Sequence, residues 1–123
     1  GKKLKTLNEI MDTDIPVIKL NSSIVEAVLV MTEKKYGCVV VLDKNKKIKG
    51  IITDGDLRRS IAKIDMKERA TSIMKSKPIV AKSDLLISSA IVLMNKHSIT
   101  SLIIANQNVP IGIVNIKKCL END

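Results

Sequence analysis

The chain repeats itself, and the repeat restricts the folds open to it. Glu9-Ile10-Met11 falls on Ser72-Ile73-Met74, and Pro16-Val17 on Pro78-Ile79. Ile24, Ala27, Val28 and Met31 stand at i, i+3, i+4 and i+7, one apolar face of a helix. Ile87, Ala90, Ile91 and Met94 restate that set. Residues 38–42 then match 101–105, and Gly50-Ile51-Ile52 matches Gly112-Ile113-Val114.

Each half reads in the same order. A short helix ends near Met11 or Met74. An X-Pro step follows and forces an extended strand, because proline disfavours helix in the residue before it. A helix is expected over residues 23–35 and again over 84–97, the first with Ser23 and Glu26 at capping-box spacing. Two short strands flank a turn at residues 43–46 or 106–108, and a last helix spans 55–63 or 116–121. The expected repeats are therefore 1–63 and 64–123, with charged residues 64–70 as a solvated linker. A half of about 60 residues buries too little surface to be robust alone. The predicted fold is mixed α/β (α+β): two β-α-β-β-α repeats packed sheet to sheet, with pseudo-two-fold symmetry and a cleft on each side of the axis.

Composition excludes several functions. Tyr36 is the single aromatic residue, whereas single-stranded nucleic-acid binders need aromatic platforms for stacking. The formal charge of +8 is mostly lysine spread along the chain, densest at Lys2, Lys3 and Lys5 and at Lys44, Lys46, Lys47 and Lys49. Arginine, favoured for reading base edges, is scarce. The lysines read as a solvated surface, not a nucleic-acid footprint. Cys38 and Cys119 show no metal-ligand spacing, and Cys38 lies in an apolar run that reads as a buried strand. A reduced, cytoplasmic setting is expected. No apolar run reaches membrane-helix length, and the lysine-rich start lacks a signal peptide's apolar stretch.

The stretch Gly50-Ile51-Ile52-Thr53-Asp54-Gly55-Asp56-Leu57-Arg58-Arg59 carries the most chemistry. A strand ends at Thr53 and a helix starts by Asp56. Thr53 offers a hydroxyl to a phosphate oxygen, and Asp56 a carboxylate that accepts from two ribose hydroxyls. Gly55 permits a tight turn and close ligand approach. Arg58 and Arg59 are in reach of a phosphate or carboxylate. The structural alternative is that Thr53 and Asp56 cap a helix and do nothing more.

The pattern Gly-apolar-x-Thr-x-x-Asp, placed at the end of a duplicated unit, resembles the nucleotide-binding signature of CBS domains, and the resemblance spans the whole chain. It implies a nucleotide held between two repeats, with Thr53 at phosphate and Asp56 at ribose. Residues around Val17 and Ile18 and near Gly37 and Cys38 would line the base pocket, largely through backbone atoms and apolar contact. The second repeat keeps Gly112 but has Asn115 for the Thr and Lys118 for the Asp. A lysine cannot accept from ribose hydroxyls, so one competent site is expected, with Asn115 and Lys118 a weaker place for an anion. A narrower resemblance, carried by Thr-Asp-Gly-Asp-Leu-Arg-Arg and the opening Leu7-Asn8-Glu9-Ile10-Met11, is to the CBS pair of bacterial D-arabinose 5-phosphate isomerases. It implies a separate sugar-isomerase (SIS) domain, absent from this chain, in the biosynthesis of Kdo (3-deoxy-D-manno-octulosonate) for lipopolysaccharide or capsule. The effector would be CMP-Kdo, CMP, AMP or ATP, and the module would dimerise through its helices. CBS pairs of sugar nucleotidyltransferases share the TDGD-x-R-R string.

Other residues carry less. His97, the single histidine, is placed at a helix end, where it meets free carbonyls. Asp54 and Asp56 are the only basis for a carboxylate hydrolase or magnesium site. Ser60, Ser88 and Ser89 lack His and Asp partners, and the methionines repeat at core positions. No catalytic or metal-binding residue is assigned, and no cofactor is required.

Overall fold

The structure is a computed structural model and describes residues 4–60, 62, 63 and 65–123. Lys2, Lys3 and the Ile61 and Ile64 positions of the expected helix and linker lie outside them. The chain forms two compact units, one of Ile15–Pro78, the other of the stretch up to Asp14 together with Ile79–Asp123. Among the described residues these hold two three-stranded sheets and four α-helices, a mixed α+β fold.

The first unit runs β1 (Val17–Lys19), α1 (Ile24–Lys34), β2 (Cys38–Leu42), β3 (Ile48–Thr53) and α2 (Asp54–Ser60). β1 and β2 are parallel and β2 and β3 antiparallel. A parallel pair needs a crossover, and α1 supplies it. Ser23 caps α1 by accepting from the Glu26 N–H at 3.2 Å. The helix ends at Lys35, left-handed at φ 62°, and Gly37 at φ 71° turns the chain into β2. Ala27 and Met31 of α1 pack on Ile18, Val39, Val41 and Ile52.

The second unit repeats this order with β4 (Val80–Ala81), α3 (Ile87–His97), β5 (Ser101–Asn106), β6 (Val109–Asn115) and α4 (Ile116–Asn122). The antiparallel pairs of both units carry a register shift at the equivalent place, Val41/Leu42 and Ile104/Ala105. β5 and β6 are joined by Gln107 and Asn108, both at positive φ, as a two-residue hairpin turn requires. α3 starts three residues later than expected, at Ile87. Its N-cap, Leu86, has no capping side chain, and the Ile87 N–H donates instead to the Lys5 carbonyl. α2 ends earlier than the expected residue 63.

Each unit is completed by the opening of the other repeat. Leu7 and Ile10 belong to the core of Ala81, Ala90, Leu102 and Val114. Ala70, Ile73 and Met74 belong to the core around Val39 and Ile52. The expected linker is correspondingly more than a tether. Its described side chains are mostly exposed, but the carbonyls of Met66 and Glu68 accept from the first amides of α1, and Ala70 is fully buried. The methionines lie over glycines: a Cβ on Gly50 would stand 2.7 Å from Met74 Sδ, and one on Gly112 2.8 Å from Met11 Cγ.

Candidate functional site

Within the first unit, Val17, Cys38, Val40, Ile51 and Thr53 share the sheet face turned away from α1, as their pairing shows. Gly37, Cys38 and Thr53 gather where β2 begins and β3 ends, and Val17 is two residues along β2 from Cys38. The Asp54 N–H donates to the Gly37 carbonyl at 3.0 Å, which closes this end of the sheet. Strand alternation turns the Ile18 side chain into the α1 core, which leaves its backbone as the part that could serve a ligand.

Thr53 and Asp56 bond each other reciprocally. The Asp56 N–H donates to Thr53 Oγ1 at 3.1 Å, and the Thr53 N–H donates to Asp56 Oδ2 at 2.9 Å. This is a capping box at the start of α2, so the structural role weighed above is present. It does not exhaust Asp56, whose other oxygen draws two cations. Arg59 donates to Oδ1 at 2.7 Å, and Lys75 Nζ stands 3.4 Å from it. Asp56 is 5% exposed, while Arg59 and Lys75 are each 65% exposed. Burial pushes the Asp56 carboxyl up, but the bonds from Thr53 and Arg59 and the Lys75 charge outweigh it, so it stays below its ordinary 3.8.

Asp54 points elsewhere. It is exposed and pairs loosely with Arg58 at 3.9 Å, so the two aspartates do not form a carboxylate dyad. Gly55 departs from the expected tight turn. Its φ is not in the left-handed region, and a Cβ there would meet only ordinary contacts, the nearest Arg59 Nη1 at 3.4 Å. Cys38 is buried, and burial followed by the Asp54 charge pushes its thiol up to about 12, which makes it a packing residue.

In the second unit Asn115 caps α4 by accepting from the Lys118 N–H at 2.8 Å. Lys118 stands where Asp56 stands, so no carboxylate returns the bond. His97 closes α3 and is exposed. A groove of about 800 Å³ lies at the far end of the first unit's sheet, lined by Leu20, Leu42, Asp43, Lys44 and Lys46 among others. Of the expected site residues it touches Val17 and Ile18 and none of the Thr53–Asp56 group. Among the described residues no group of three His, Cys, Asp or Glu side chains could hold a metal ion, and no helix is long and apolar enough to cross a membrane.

Sequence reasoning missed Lys75. The residue follows Met74, and its backbone bridges to Ile51 through two bonds of 2.9 Å. In the other unit Asp12, after Met11, bridges to Ile113 in the same way. The repeat thus sets Lys75 with Asp56 in one unit against Asp12 with Lys118 in the other, the same positions with charges exchanged. That exchange was visible in the single sequence.

Comparison with known proteins agrees with the geometry. The CBS domain family model matches residues 7–63 and 70–122. The CBS domain pair of protein MJ0100, in complex with 5′-methylthioadenosine and S-adenosyl-L-methionine, has a TM-score of 0.87 at 21% identity, covering 98% of this chain and 96% of that one. The CBS domain protein PAE2072 from Pyrobaculum aerophilum, complexed with AMP, has a TM-score of 0.82 at 19% identity, covering 93% and 89%. The chain belongs to the CBS domain family, as a tandem pair. In sequence it is related to the arabinose 5-phosphate isomerases: KpsF of Escherichia coli is 34% identical over 120 residues, 94% of this chain. The chain spans 37% of the length of KpsF.

Proposed function

We propose that this CBS pair is the ligand-sensing part of a cytoplasmic arabinose 5-phosphate isomerase-like enzyme of Kdo biosynthesis, and that it binds a nucleotide or sugar nucleotide at Thr53 and Asp56. The observation that carries the reading is Asp56: a buried carboxylate, kept ionised, at the end of β3 in the relative of an isomerase. A carboxylate accepts about four hydrogen bonds. Arg59, two-thirds exposed, is free to swing out and leave Oδ1 to ribose hydroxyls. The rim offered to the base is Val17 and Gly37, with Ile18 and Cys38 contributing backbone.

The effector is CMP-Kdo, a downstream product whose phosphate and carboxylate suit the cations around Asp56. It acts by favouring one conformation of the attached isomerase domain over another. The module pairs with a second copy through α1 and α3, where the repeat-equivalent Leu29 and Val92 are 64% and 66% exposed. The adenine ligands of MJ0100 and PAE2072 favour a second reading, an adenine-nucleotide sensor.

Calorimetric titration with CMP-Kdo, CMP, AMP and ATP tests both. Saturable binding of CMP-Kdo, lost in Asp56→Ala, is the expected result, and preference for AMP or ATP selects the second reading. Asp56→Asn, which keeps an acceptor for the Thr53 N–H, separates loss of binding from loss of fold. No binding of any of the four by the intact chain would reduce Thr53 and Asp56 to a helix cap.

A further inference from the structure

Two cations, Arg59 and Lys75, converge on a single oxygen of Asp56 although both side chains are largely solvated. Two positive charges against one negative leave the cluster with a surplus cation. The neighbouring Asp54–Arg58 pair is neutral overall and does not cancel it. The fold itself does not ask for a cation at position 75. Docking of that segment runs through the backbone bonds between Lys75 and Ile51, and the equivalent bridge in the other unit is made by an aspartate, Asp12. The Thr53 N–H and hydroxyl already complete the helix cap without it.

We infer that Lys75, with Arg59, is the phosphate-binding element of this site, and that Asp56 holds both in reserve until ribose hydroxyls displace them. The inference rests on the nucleotide-binding reading above. Its logic is an exchange of partners. When a ribose diol takes Asp56 Oδ1, two ammonium and guanidinium charges lose their carboxylate. A phosphate one bond away from the ribose gives them a new one. A nucleoside takes the carboxylate and gives nothing back, so the site selects a phosphorylated ligand through cations that lie on two separate stretches, α2 and the opening of the second repeat. Binding then also pulls on the segment around Lys75, the opening of the second repeat that completes this unit.

The test is paired titration of the intact chain and of Lys75→Met and Arg59→Met with CMP against cytidine and AMP against adenosine. The wild type is expected to prefer the monophosphate. In Lys75→Met that preference falls about five- to tenfold, the worth of one partly exposed charge-assisted bond, while nucleoside affinity holds or rises because Asp56 is less engaged. Parallel weakening of nucleotide and nucleoside would mean that Lys75 only positions Asp56, and an unmoved preference would mean that it does nothing; either overturns the inference and leaves the nucleotide reading standing. If the wild type binds none of the four, both fall together. Where a nucleoside binds too weakly to titrate, the salt dependence of CMP binding decides: it flattens in Lys75→Met if the ammonium meets phosphate, and an unchanged slope counts against it.

Discussion

Asp56 shows how one residue serves fold and site at once. Its carboxylate accepts from Thr53 and Arg59 and pairs with the Lys75 charge, and its titration lies below the ordinary 3.8. The unfolded carboxyl titrates near that ordinary value, so the charged form contributes stability in full above it, and the contribution is lost as pH falls through the lower, native value. Asp56→Asn is therefore expected to lower stability by about 1–3 kcal/mol at neutral pH. The gap between the two proteins should narrow below about pH 4, a trend that urea melts at stepped pH would show or refute. Cys38 gives a second residue-scale expectation. With its thiol pushed up to about 12 inside the sheet, it should resist a thiol reagent at pH 8 in the native state and react at once in denaturant. Fast native labelling at Cys38, read in Cys119→Ser, would contradict the burial. At this scale the sequence showed Thr53 and Asp56 as partners but not what surrounds them. Lys75 is 19 residues from Asp56 in the chain, and its approach depends on a strand-edge bridge that no local pattern encodes.

Elements were more legible than contacts. The i, i+3, i+4, i+7 spacing placed α1 and α3 because a helix with one buried stripe writes its period into the chain. The strands were marked by the apolar run that holds Cys38, by its match at residues 101–105, and by X-Pro steps. What blurred were the ends. α3 lacks a side-chain cap, and its first amide is satisfied by Lys5, far away in sequence. Val17 and Ile18 are neighbours in one strand, yet alternation sends their side chains to opposite faces, Ile18 into the α1 core. The two glycines that open the β3 and β6 motifs show the same dependence on distant partners. At Gly50 a Cβ would meet the Lys75 carbonyl at 2.8 Å as well as Met74, whereas at Gly112 the three nearest atoms all belong to the Met11 side chain. A backbone atom cannot step aside as a thioether can. Gly50→Ala is expected to cost about 1–3 kcal/mol in a denaturant melt, Gly112→Ala less, and Met11→Ala should relieve part of the latter. Equal losses at both glycines would mean that the Met11 side chain is as rigid as backbone.

At the scale of the whole chain, the sequence repeat and the compact unit are different objects. The repeat was legible as residues 1–63 and 64–123. The unit Ile15–Pro78 borrows the opening of the second repeat, because that opening supplies what the first repeat lacks. The carbonyls of Met66 and Glu68 take the Val25 and Ile24 amides, the Ala70 N–H donates to the Ser22 carbonyl at 2.8 Å, and Ala70, Ile73 and Met74 fill the core beside Ile52. A fragment cut at the repeat boundary leaves the first amides of α1 without those carbonyls and the core open. A fragment of residues 15–78 keeps them, although it remains small and therefore marginal. The expected outcome is that 15–78 melts cooperatively at low urea, with slow amide exchange in β2, while 1–63 shows a sloping, non-cooperative signal. Were 1–63 to melt as sharply as 15–78, the borrowed segment would be decoration. If it does not, the two repeats are bound by exchanged structure, and a ligand that draws on Lys75 acts on the same segment that completes the fold.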